Sequence, residues 1–128
     1  MDPVEWPGIR VRFRTWTCKV MVGRYHQTAN FRLDLVDAQD GTPVAVATVN
    51  AAGCALDDQL IMVKDWSENE GMPKALMAGG LIDSGNLQAG MGTPYPTYHL
   101  RVPPPVPDKA TFLATVRSAP REKEEESL

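Results

Sequence analysis

The chain has 128 residues, 43% hydrophobic and 23% charged, with a formal net charge of −3. One ordinary globular domain of that size buries roughly 65–70% of its unfolded surface without staples. No run approaches the ~18 apolar residues of a membrane span. The start MDPVEWPGIR is acidic where a secretory leader is basic, so a cytoplasmic place of action is expected. Cys18 and Cys54 form no CxxC and fit reduced thiols there.

Residues 1–8, with Pro3 and Pro7, are predicted to form an arm. From Gly8 apolar and polar side chains alternate at the period of a half-buried strand: Ile9, Val11 and Phe13 against Arg10, Arg12 and Arg14. The parity then switches, placing Trp16, Cys18, Val20 and Val22 inward, which requires a turn or bulge near Arg14-Thr15. A turn between two antiparallel strands is preferred. Phe31, Leu33 and Leu35 resume the alternation, and Asp40-Gly41 signals a hairpin inside the loop Asp37–Thr42. Val44–Val49 is apolar on both sides, which suits a strand covered on both faces.

Leu60–Lys64 is a fifth strand. Pro73 then confines the following helix, because proline fits only its first turn, and Asn69 as N-cap satisfies that limit. Ser67 with Glu70 is a capping-box alternative that pushes Pro73 deeper. Met72, Ala75 and Leu76 face the sheet, and Gly79-Gly80 stops the helix after about ten residues. Asp83–Pro96 reads as a loop and Thr97–Val102 as a last strand. Pro103–Pro105 and Pro107 end any ladder, Ala110–Val116 is an apolar patch of open type, and Ala119–Leu128 is a charged tail expected to be disordered. The predicted fold is therefore α+β: a curled antiparallel sheet of five or six strands with one short helix packed on it. The domain spans 9–102, with a proline-rich and charged tail over 103–128. Its core is Val11, Phe13, Trp16, Val20, Leu33, Leu35, Val46, Met62 and Leu76.

Charge is unevenly placed. Ile9–Arg32 carries Arg10, Arg12, Arg14, Lys19, Arg24 and Arg32 and no acid. Leu33–Glu70 carries eight acids against Lys64 alone. Either the two segments pair on a sheet surface, or one of them is a contact face for a macromolecule.

The residues point to no reactive centre. Cys18, Cys54, His26 and His99 stand at no zinc-ligand spacing, and Cys18 suits a small core hydrophobe. Asp65, Glu68 and Glu70 lack the order of a calcium loop, and helix starts attract carboxylates for their own stability. Gly79-Gly80, Gly90 and Gly92 match no phosphate loop, and no nucleophile elbow is present. No catalytic residue, cofactor or metal is expected.

VGRY at Val22–Tyr25, LVDAQDGTPVAVATVN at Leu35–Asn50 and VKDWSENEGM at Val63–Met72 resemble a family of small uncharacterised proteins carried by bacterial plasmids, integrative elements and phages. The resemblance covers roughly Ile9–Leu100 and departs at Pro73 and in the long tail after Val102. It implies a mobile genetic element as context and assigns no functional residue. The expected function is contact with a host or element-encoded protein, with inhibition of host defence, as by an anti-CRISPR protein, as one form. The candidate contact residues are Asp57, Asp58, Asp65, Glu68 and Glu70. The alternative is nucleic-acid binding through Arg10, Arg12, Arg14 and Lys19, against which stands a pI near 5.3. No membrane partner is expected.

Overall fold

A computed structural model describes residues 2–85 and 94–118. The fold is α+β. Four antiparallel strands, β1 (Val4–Phe13), β2 (Trp16–Arg24), β3 (Phe31–Asp37) and β4 (Pro43–Val46), pair in the order β1-β2-β3-β4. A separate pair, β5 (Leu60–Met62) and β6 (Thr97–His99), is also antiparallel. Helix α1 (Met72–Ala78) lies between β5 and β6 in the chain, and α2 (Lys109–Ser118) follows β6. The single five- or six-stranded sheet with one helix is thus corrected, among the described residues, to two sheets and two helices.

The break between the sheets has a local chemical cause. Beyond Val46 the Leu33 amide donates to the Thr48 hydroxyl rather than to a strand carbonyl. The Asn69 side-chain amide occupies the Val46 carbonyl at 2.6 Å. Ala47–Val49 then passes to β5: Lys64 N–H donates to the Ala47 carbonyl and Val49 N–H to that of Met62. A single bridge, Thr48 to Val63, joins the two sheets.

The turn at Arg14-Thr15 closes the β1–β2 hairpin, with Phe13 opposite Trp16. Arg14 takes φ 55, a left-handed conformation costly for a residue with a Cβ, and its guanidinium donates to the Glu68 carbonyl at 2.9 Å. The β3–β4 loop contains Asp40-Gly41 as expected, closed by Asp37 N–H on the Thr42 carbonyl.

The predicted arm is instead the first half of β1, from Val4. Its register shifts between Glu5 and Arg10. Pro7 has no ladder donor and Gly8 sits at φ 73, so the two place a bulge there without ending the strand. Before the bulge Trp6 turns into the core, 4% exposed.

Val11, Cys18, Val20, Val22, Leu33, Leu35 and Ala47 line the inner face of the four-stranded sheet. Ile61, Val63, Met72, Leu76, Leu81, Ile82 and Tyr98 cover it. Two expected core positions differ. Trp16 is 42% exposed, because the hairpin tip carries it past the covering layer, and Val46 is half-buried on the opposite face. Met62 is buried in a smaller cluster with Leu56 and Leu60.

Asn69 does not cap α1. It lies in a 3₁₀ turn, Ser67–Asn69, and the helix starts after Gly71 at φ 91, with Pro73 in its first turn. Asp65 Oδ1 accepts from Gly71 N–H at 3.0 Å, so an acid does serve the helix entry. The helix has seven residues rather than about ten. At its end Gly79 has φ −78, open to any residue, yet a Cβ there meets the Arg10 carbonyl and Val11 Cγ2, both at 3.0 Å. Packing rather than conformation requires this glycine. Gly79→Ala is expected to lower stability by about 1–3 kcal/mol in denaturant unfolding, as overpacking does, although Gly→Ala stabilises a chain where nothing clashes.

Ala110–Val116 lies within α2. Asp108 caps it, accepting from Thr111 N–H at 2.7 Å, and that bond holds the Asp108 carboxyl below its usual range. The remainder of the expected loop, 86–93, and the expected tail, 119–128, lie outside the described residues. No helix among the described residues is long and apolar enough to cross a membrane.

Candidate functional site

Helix α1 and the β5–β6 pair lie against the inner face of the four-stranded sheet, and the ladder register defines the outer one. Directly opposed residues share a face. Arg12 stands opposite Thr17, Arg10 opposite Lys19 and Glu5 opposite Met21. On the next strand Lys19 faces Val36, Met21 faces Asp34 and Gly23 faces Arg32. The outer face therefore carries rows of charge: Arg12, Arg10 and Lys19, then Glu5, Met21 and Asp34, then Arg32 beside the bare backbone of Gly23.

Three of the four cations expected for nucleic acid, Arg10, Arg12 and Lys19, come together here. Glu5 lies between two of them, 3.8 Å from Arg10 and 3.7 Å from Lys19. Arg14 leaves the group, bonded to Glu68 and set over the Phe13 ring. Arg32 joins it, its Nε donating to Asp34 Oδ1 at 2.9 Å. Its alternation with Asp34 was visible in the sequence, but the strand that sets it beside the basic row was not.

The acidic set is dispersed. Asp58 binds inward, Asp65 serves Gly71, and Glu68 meets the Lys64 ammonium at 2.5 Å. Asp57 and Glu70 are exposed.

Asp58 belongs to a buried latch that sequence reasoning missed. Arg24, at the end of β2, points inward with a side chain only 1% exposed. Its Nη1 donates to the Ala29 carbonyl at 2.6 Å and its Nη2 to Asp58 Oδ2 and the Pro107 carbonyl, both at 3.0 Å. Asp58 Oδ1 lies 2.8 Å from Nη1 but off the donor axis, so that contact is ionic. The guanidinium lies 4.1 Å from the Phe31 ring centre and 5.9 Å from that of Phe112. Asp58 Oδ2 also accepts from Lys109 N–H at 2.8 Å, and the Lys109 ammonium reaches Asn30 Oδ1 and the Leu56 carbonyl. Burial pushes the Lys109 ammonium below its ordinary value, with Asp58 partly offsetting it. The cluster fastens α2 and the loop before β5 to the sheet.

Cys18 and Cys54 are free thiols, and burial followed by the Asp37 charge raises the Cys18 thiol above its usual value, away from the nucleophilic thiolate. Among the described residues no three His, Cys, Asp or Glu side chains stand close enough to hold a metal. Exposed Trp66 stacks on Tyr95 at 5.2 Å with the Lys64 ammonium over its ring.

No family model, curated protein or solved structure matches this chain.

Proposed function

We propose that the protein is a non-enzymatic binding module of a bacterial mobile genetic element that holds a partner protein on the outer face of its four-stranded sheet. The observation that carries this is the interleaving of signs on that face. Exposed ion pairs such as Glu5 with Arg10 and Lys19 contribute at most about 1 kcal/mol to folding, so the rows have little structural purpose. Phosphate binding scales with cations free to displace counterions. Here Glu5 is shared by two cations and Asp34 holds Arg32, which leaves Arg12 alone without an acid within ion-pair distance among the described residues. Mixed charge around half-buried Met21, Val36 and Val46 suits a protein surface better than a polyanion. Asp58, Asp65 and Glu68 of the expected acidic contact set are engaged within the fold, which also favours the basic rows. The family resemblance supplies the mobile-element context, and in that context an inhibitor of host defence, such as an anti-CRISPR protein, is one form of the role.

Pull-down from bacterial lysate tests this. A partner retained after nuclease, lost with Arg10→Glu/Arg12→Glu and kept with Asp57→Lys/Glu70→Lys, is the expected result. Association weakens with salt, because rim charges act mainly on encounter rates. Capture that vanishes with nuclease assigns the face to nucleic acid instead.

A further inference from the structure

Gly23 lies inside β2, a strand paired on both sides, where glycine weakens a sheet and often marks a close approach by something else. Its backbone is not in the left-handed region. Packing does not demand it either: the nearest atom to a Cβ built there is Pro3 Cα at 3.9 Å, an ordinary contact. Gly23 is itself buried, and the absence of its side chain leaves room in a groove of about 240 Å³ on the charged outer face, with Met21, Pro3, Arg32, Asp34 and His26 around it.

We propose that this groove seats one acidic side chain, a glutamate of the partner protein, with its carboxylate on the Arg32 guanidinium and its aliphatic stem against Met21 and Pro3. Arg32 spends Nε and Nη2 on Asp34, at 2.9 and 3.5 Å, which leaves Nη1 for a second carboxylate. A cationic side chain is drawn less strongly, since the Asp34 charge is already matched by Arg32. A phosphate dianion would set the one guanidinium against three negative charges, counting Asp34, where a glutamate sets it against two. Arg24, also on the groove wall, has its charge matched by Asp58. The surplus of cations over acids along the rows draws an acidic segment to the face.

The inference rests on the protein-contact reading for the source of the carboxylate. Its test needs no identified partner. The full chain, labelled with ¹⁵N, is titrated at low salt with acetyl-Gly-Glu-Gly-amide, acetyl-Gly-Gln-Gly-amide and inorganic phosphate. Saturable shifts at Met21, Gly23 and Arg32 are expected with the glutamate peptide. The glutamine peptide is expected to bind about tenfold more weakly, the cost of one charge-assisted contact. Gly23→Ala weakens binding and Gly23→Val abolishes it, while both variants unfold at or above the parent's temperature, because glycine loses more chain entropy on entering a strand than either replacement and valine is also a β-former. Unchanged binding in Gly23→Val, equal binding of the two peptides, tighter binding of phosphate, or no saturable shift at Gly23 overturns the proposal. A failed pull-down beside a positive titration defeats the protein-contact reading alone; the reverse defeats only the glutamate seat.

Discussion

Replacing Asp58 by alanine is expected to lower folding stability by about 3 kcal/mol, the low end of the cost of breaking a buried ion pair by removing one partner. The low end applies because Asp58 itself is 31% exposed, while Arg24 is all but fully enclosed. Once the carboxylate is gone, Arg24 retains the Ala29 and Pro107 carbonyls and the Phe31 ring but no counter-charge. Lys109 N–H, at the start of α2, loses its acceptor in the same step. A double-mutant cycle separates the ionic contribution from lost packing. Arg24→Leu/Asp58→Leu is expected to be more stable than Asp58→Leu alone, since a buried pair replaced by apolar residues leaves no unpaired charge. Urea unfolding gives all four stabilities. A double variant less stable than the single one would show that the Asp58 charge is not what steadies Arg24.

Features whose cause is local were legible in the sequence. Alternation at Val11–Phe13 and Leu33–Leu35 reports a half-buried strand wherever the partner strand lies. The turn at Arg14-Thr15 follows from the switch in parity along the chain, and the Asp40-Gly41 loop, the limit set by Pro73 and the stop at Gly80, φ 79, each follow from a dihedral angle or a missing donor in the residue itself. What stayed hidden depends on distant partners. An arginine at an inward strand position reads as the end of the buried run, and the carboxylate that neutralises Arg24 and a carbonyl that accepts from it lie 34 and 83 positions away. The same applies to Thr48, whose hydroxyl ends a ladder by taking an amide 15 residues back. α2 is not legible because Ala110–Val116 is too short for a periodicity to separate helix from strand. Its placement depends on Phe112 against Arg24 and His26. The basic rows were half legible: parity set Arg10 and Arg12 on one side of a strand, whereas Lys19 and Arg32 joined them only through the register.

Trp6→Ala is expected to cost about 3–5 kcal/mol, the range for truncating a buried large aromatic. The number discriminates because the sequence placed Trp6 in an arm between two prolines, where the change would fall within roughly ±0.5 kcal/mol. Structure places it before the Pro7-Gly8 bulge, on the inward side of β1 and in the main core. The loss should exceed the transfer free energy of the indole alone, since the facing β2 side chains Val20 and Val22, with no exposed surface, cannot collapse far into the space left. Trp16→Ala is the control: the same chemical change at a 42%-exposed site, expected to cost less than about 0.5 kcal/mol. Both variants are compared by urea unfolding. Fluorescence adds an independent reading, because Trp6 is the buried indole of the three: its removal should shift the native emission toward the red, and removal of Trp16 toward the blue. Equal, small losses at both positions would return the first eight residues to an arm and leave Val22 facing solvent at the end of β2.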